Sequence, residues 1–167
     1  MKILGLDPGT SRIGYGLIDA GRSLTLIDYG VLEITSGSEP EKIFRLGEQL
    51  GKLLEAFKPA AAGVEKLYFA KNQKTALAVA QARGVIIYAL MGKKIPLFEF
   101  RPGDIKKTVT NYGLSDKQAV AKMVKKILRL EAIAGHDDAS DALAIAITTA
   151  FQMSARGKFK HNTGSDC

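Results

Sequence analysis

Residues 1–20 read MKILGLDPGTSRIGYGLIDA. An apolar run, Ile3 to Leu6, ends on a carboxylate at Asp7, and Pro8-Gly9 then turns the chain into a second apolar run. Pro-Gly-Thr-Ser after the first run and Ala-Gly-Arg-Ser after the second are turn compositions. Runs at about 2–7, 12–20 and 23–35, joined this closely, predict three consecutive antiparallel strands. A strand that reads as buried but finishes on a charge raises the question of what keeps that charge company.

Beyond the meander, SEPEKIFRLGEQLGKLLEAFKP (38–59) places Ile43, Leu46, Leu50, Leu53, Leu54 and Phe57 at helical spacing, with a proline near each end. A short apolar strand at 61–67 carries Glu65. A second, alanine-rich helix is expected over 72–92 and a fifth strand, IPLFEF, at 95–100. Helices follow at about 102–109, Ser115–Leu130 and Asp138–Met153. This order predicts an α/β fold: a mixed five-stranded sheet, strands 1–3 antiparallel and strands 4 and 5 parallel, with helices on both faces and right-handed crossovers. Strands 1 and 4 can then lie side by side at the centre, which brings Asp7 and Glu65 together beyond the strand ends, where open α/β sheets take their ligands.

The 167 residues fit one domain, expected over 1–154, with a basic, mobile tail at 155–167. No run approaches the roughly 18 to 20 apolar residues of a membrane span, so no membrane partner is expected. The one cysteine, Cys167, excludes a disulfide framework and points to a reducing cytoplasm. A net charge of +7 favours a polyanionic partner, most often nucleic acid.

The late segment GHDDASDALAIAITTAF (135–151) supplies further acids. Asp138 and Asp141, three apart, project from one face of a helix, in the first turn where the dipole favours negative charge. The helix body is almost wholly apolar, and packing it on the sheet carries that turn to the strand ends. Singly, each acid has an ordinary structural role: a turn-starting Asp7, an edge Glu65, aspartates at a helix start. Together, in a basic chain, they read as a cluster. Clustered carboxylates repel, and some protonate unless a cation joins them. Oxygen-only ligands select hard cations, Mg²⁺ or Mn²⁺. Two such ions about 3.5–4 Å apart support phosphodiester hydrolysis. Rival chemistries lack their parts. Gly47 to Lys52 has the wrong spacing for a phosphate loop, GYGLIDAG lacks a third glycine, and His136 and His161 with one cysteine make no zinc site.

These motifs resemble those of RuvC-family Holliday-junction resolvases. GLDPGTSRIGYG (5–16) is similar to that family's opening strand-turn-strand, VEKLYFAKNQKTALAVAQARGV (64–85) to its central motif, and DDASDALAIAIT (137–148) to its closing helix. The likeness runs from residue 1 to about 152. It implies an RNase H-like fold, a homodimer, and magnesium-dependent paired nicks in a four-way DNA junction during recombination and repair, with two ions per site and Mn²⁺ as a substitute. The family's four acids fall on Asp7, Glu65, Asp138 and Asp141, its supportive lysines on Lys106 and Lys117, and its stacking aromatic on Tyr68, with Phe69 beside it. Asp137 leaves open which of two neighbours meets metal, and Ile13 stands where a threonine is common. The resemblance also implies a bacterial, nucleoid-associated protein that works with the RuvA–RuvB branch-migration complex.

Basic residues complete the expectation. Lys122, Lys125, Lys126 and Arg129 form a stripe on the 115–130 helix, opposite Val120, Met123, Val124 and Ile127. Lys122, with Lys106, Lys107 and Lys117, is a candidate phosphate contact. Lys117, near the helix start, is also a candidate for stabilising transition-state charge. LDPGT resembles the phosphate loop of actin-like ATPases as well, but those need two such domains. A smaller RNase H-like family of candidate resolvases acting in ribosomal RNA maturation shares the opening motif but not the long central motif around Glu65. A junction-binding protein that no longer cuts is a third alternative, and four intact acids argue against it.

Overall fold

The computed structural model describes residues 1–9, 12–33, 35–66, 73–133 and 137–161, with the backbone alone at 73–75 and 156–161. Three strands open the chain: β1 (Lys2–Pro8), β2 (Arg12–Ala20) and β3 (Leu24–Glu33). Then come α1 (Glu39–Phe57), β4 (Ala61–Glu65), α2 (Gln73–Gly92) and β5 (Leu97–Phe100). Three helices close it: α3 (Pro102–Thr110), α4 (Lys117–Leu128) and α5 (Asp137–His161). The sheet order is β3-β2-β1-β4-β5. β1, β2 and β3 pair antiparallel, whereas β4 pairs parallel with both β1 and β5. The mixed five-stranded sheet expected from the sequence is therefore the one observed. Differences fall at element ends. β4 stops at Glu65 rather than 67, and the α5 backbone continues through His161, past the expected end at Met153.

Each face of the sheet carries its own core. Leu4, Leu6, Ile13 and Leu17 pack against Leu46, Leu50 and Leu54 of α1 and Ile86 and Leu90 of α2. Ile3 and Ile18 pack with Ile105 of α3, Val120 and Val124 of α4, and Leu143 and Ile147 of α5. Alternation along β1 explains the division, since neighbouring strand residues point to opposite faces. Leu4 and Leu6 take one face; Ile3, Gly5 and Asp7 take the other, toward α5. Ile13 is fully buried under α1 and α2, which explains an aliphatic residue there.

The approach of α5 is unusually close because glycines lie beneath it. In register, Gly16, Gly5 and Gly63 form a row across β2, β1 and β4, and Gly14 faces Asp7. A Cβ on Gly5 would collide with the backbone of Ala142 and Ala146; one on Gly14 would collide with the backbone of Asp138. The helix matches this trough with small side chains, Ala139, Ala142 and Ala146, all buried. Two of its three buried hydroxyls return to their own helix: Thr148 Oγ1 donates to the Ala144 carbonyl and Thr149 Oγ1 to the Ile145 carbonyl, both at 2.8 Å, whereas Ser140 Oγ has no hydrogen-bond partner among the described residues. With that packing the first turn of α5 rides directly over the end of β1.

A matched pair of substitutions tests this. Gly5→Ala should destabilise the fold by about 1–3 kcal/mol, because rigid backbone must move to admit the methyl. Gly51→Ala, in α1 with nothing near its added methyl, should gain up to about 1 kcal/mol of helix propensity. Urea unfolding of both variants measures the contrast.

Candidate active site: an acidic pocket with a basic rim

Leu6 pairs with Val64 across β1 and β4, so the next residues, Asp7 and Glu65, end the two central strands side by side. Both turn toward the α5 face, as Gly5 and Gly63 do two residues earlier. Asp7, Glu65 and Asp141 line one pocket of about 290 Å³ together with Lys106 and Lys117, on an apolar base that includes Ile105 and Val120. Lys117 stands at the start of α4, whose N-cap, Asp116, accepts a 2.7 Å hydrogen bond from the Ala119 amide. From there Lys117 Nζ donates to Asp141 Oδ2 at 3.1 Å. Arg12 Nε lies 3.0 Å from Asp138 Oδ2.

The electrostatics bind these groups into one neighbourhood. Burial first, and then the charges of Asp141, Glu65 and Asp138, push Asp7 from its ordinary 3.8 up to about 7, with Lys117 pulling the other way. Glu65 is raised by burial and by Asp141, against Lys106 and Lys117. Lys117 is itself raised, chiefly by its hydrogen bond to Asp141. Asp138 does not line the pocket, yet its charge reaches Asp7. Asp137 is exposed and bears on Lys117 instead.

The carboxylates that line the pocket, Asp7, Glu65 and Asp141, with no thiolate or imidazole beside them among the described residues, suit a hard divalent cation. Among the described residues, no three acids already form a closed ligand cage. Asp138 and Asp141 are each engaged by a cation of the chain itself. The residues fit a divalent ion in chemistry and charge, and their mutual repulsion is what such an ion relieves.

Other expected residues are dispersed. Lys107 is not in the pocket; one position round the helix from Lys106, it borders a separate groove with Glu99, Asp104 and Gln152. Lys122 is exposed on α4, as are Lys126 and Arg129, while Val120, Val124 and Leu128 are buried. Tyr68 and Phe69 lie outside the described residues. Arg12 escaped the sequence reading. Its signal was its place on β2, two residues before Gly14 and therefore on the same face as Gly14 and Gly16.

An acidic pocket at the centre of an RNase H-like sheet, rimmed by lysines, defines a nuclease class. The comparisons name the branch of it. The family model described as "Crossover junction endodeoxyribonuclease RuvC" matches residues 3–149. Proteins of that name from Petrotoga mobilis and Synechococcus sp. are 46% and 44% identical, over 87% and 91% of this chain and 91% and 99% of theirs. The chain belongs to the RuvC family of crossover junction endodeoxyribonucleases. Among solved structures, Thermus thermophilus RuvC is similar at a TM-score of 0.85 and 28% identity, covering 93% of this chain and 97% of that one. The T. thermophilus RuvC complex with a Holliday junction substrate is similar at 0.83 and 26%, covering 93% and 96%. No helix among the described residues is long and apolar enough to cross a membrane.

The raised carboxylates make a pH prediction. A folded state that keeps a proton on Asp7 up to about pH 7 binds more protons than the unfolded chain between about 3.8 and 7. Stability in EDTA should therefore fall as pH rises through that window, by on the order of a few kcal/mol. Asp7→Asn should flatten the dependence, measured by urea unfolding at a series of pH values.

Proposed function

We propose that this protein resolves four-way DNA junctions by paired nicks that depend on a divalent cation, Mg²⁺ by preference with Mn²⁺ as substitute. One observation carries the reading: Asp7, Glu65 and Asp141 share a pocket with two lysines, in a chain of the RuvC family. The junction complex known for the similar T. thermophilus protein supports the choice of substrate.

In this mechanism Asp7, Glu65, Asp138 and Asp141 would hold the metal, with room in the charge balance for two ions in each site. When bound, such ions supply Lewis acidity to the scissile phosphate and lower the pKa of the attacking water. Asp7, protonated up to about pH 7 without metal, must lose its proton to serve as a ligand, so metal affinity rises with pH toward neutrality. Lys117, kept charged by Asp141, stabilises negative charge gathering on the phosphate, and Lys106, which lines the same pocket, adds to it. The exposed lysines of α4, Lys122 among them, hold flanking phosphates, so binding weakens steeply with salt. Lys107 contacts DNA outside the pocket, and Tyr68 or Phe69 stacks on bases opened at the crossover.

The active unit is a homodimer, because two cuts in a two-fold substrate call for two sites. The face for it is α2, which leaves Leu77, Tyr88 and Met91 exposed along one side. Residues 1–154 act as one nuclease domain. By family membership we assign the protein to the bacterial cytoplasm, at the nucleoid, with the RuvA–RuvB complex as partner.

The experiment offers a synthetic four-way junction, beside a linear duplex, with Mg²⁺ or with EDTA. Symmetric nicks in the junction alone, and with Mg²⁺ alone, are expected. Asp7→Asn should bind the junction and leave it intact, and Lys117→Ala should lower the cleavage rate at least tenfold while changing junction affinity far less. Tight binding without cleavage by the unsubstituted protein would reduce it to a junction-binding module.

A further inference from the structure

Arg12 pairs with Asp138 without lining the acidic pocket. Strand register puts it there: Arg12, Gly14 and Gly16 share the α5 face of β2, and the missing Cβ of Gly14 lets the Asp138 backbone settle onto the strand. The guanidinium then meets Asp138 Oδ2 at 3.0 Å, with the two side chains 41% and 31% exposed. A pair this open to water adds little to the stability of the fold. Its consequence is local, since it occupies a carboxylate whose charge acts on Asp7. The arginine cannot release Asp138 by losing its proton, because a guanidinium stays charged at any working pH. It can release it only by exchange, and a guanidinium leaving a carboxylate is well matched to a phosphate.

We propose that Arg12 is an exchangeable counter-ion for Asp138, which it yields to a divalent cation while its guanidinium passes to a DNA phosphate. The inference rests on the nuclease reading above and adds an order to it. Without DNA, Arg12 competes with metal for Asp138; with DNA, the competitor is drawn off and metal binds more tightly. Linkage makes this reciprocal, so metal must strengthen DNA binding by the same factor.

The test is a Mn²⁺ titration followed by electron paramagnetic resonance of the free ion. It uses the full chain, with and without a four-way junction carrying non-cleavable linkages at the crossover. In the DNA-free protein, Arg12→Gln should tighten Mn²⁺ binding about two- to fivefold, the range of an exposed ion pair. The gain in Mn²⁺ affinity on adding junction should shrink correspondingly. Arg12→Lys, which keeps the charge, should titrate like the unsubstituted protein. Unchanged or weaker Mn²⁺ binding by Arg12→Gln without DNA would overturn the proposal and make Arg12 a brace for Asp138. Equal tightening in Arg12→Lys would overturn it too. Failure of the unsubstituted protein to bind Mn²⁺ or cut junctions would instead sink the nuclease reading.

Discussion

The arrangement depends on one steric constraint: α5 lies against the sheet with almost nothing between them. Gly5, Gly14, Gly16 and Gly63 remove the side chains that would hold the helix off, and the small residues of α5 fill what remains. Only with that separation does the start of α5 bring Asp138 and Asp141 within electrostatic reach of Asp7, and Asp141 within reach of Glu65. The side chains of Asp138 and Asp141 stay about a third exposed, and the repulsion is felt most at Asp7, where burial adds to it. Steric and electrostatic facts are thus one fact seen at two places on the same helix.

That closeness has an energetic cost that the fold offsets elsewhere. Two apolar cores, one on each face, stabilise a sheet whose central strand ends on a carboxylate pushed far above its usual range. A carboxylate kept partly protonated at neutral pH is poor economy for stability and good preparation for a cation, because ligand binding can recover what burial cost. Functional sites commonly hold such groups. The surrounding lysines act in both directions: Lys117 and Lys106 ease the repulsion within the pocket, and the α4 lysines give the body its positive charge.

Much of this was legible in the chain. Runs of apolar residues cut by Pro-Gly and Gly-Arg-Ser set the meander, and the later alternation of helix and strand set β4 beside β1. The convergence of Asp7 and Glu65 follows from that adjacency, and the pairing of Leu6 with Val64 bears it out. Asp138 and Asp141 were readable from helical spacing plus an apolar helix body. What stayed hidden depended on which way a side chain faced across the sheet. The glycines of β1 and β2 looked like turn or strand punctuation, because their role is to meet a helix more than a hundred residues later in sequence. Arg12 was passed over for the same reason. Lys107 was grouped with Lys106 because they are neighbours in sequence, yet a step of one residue turns a helical side chain to a different groove. The extent of α5 was underread because its last turns are polar, and polarity at a chain end reads as tail.

The central claim is that acids distant in sequence form one metal-binding pocket at the ends of β1 and β4. Crystals grown with Mn²⁺ and measured at its absorption edge test it most directly. The account predicts anomalous density between the Asp7 and Asp141 carboxylates, with Glu65 or Asp138 completing the ligand set. An empty pocket at saturating Mn²⁺, or density only at sites away from these four residues, would contradict it.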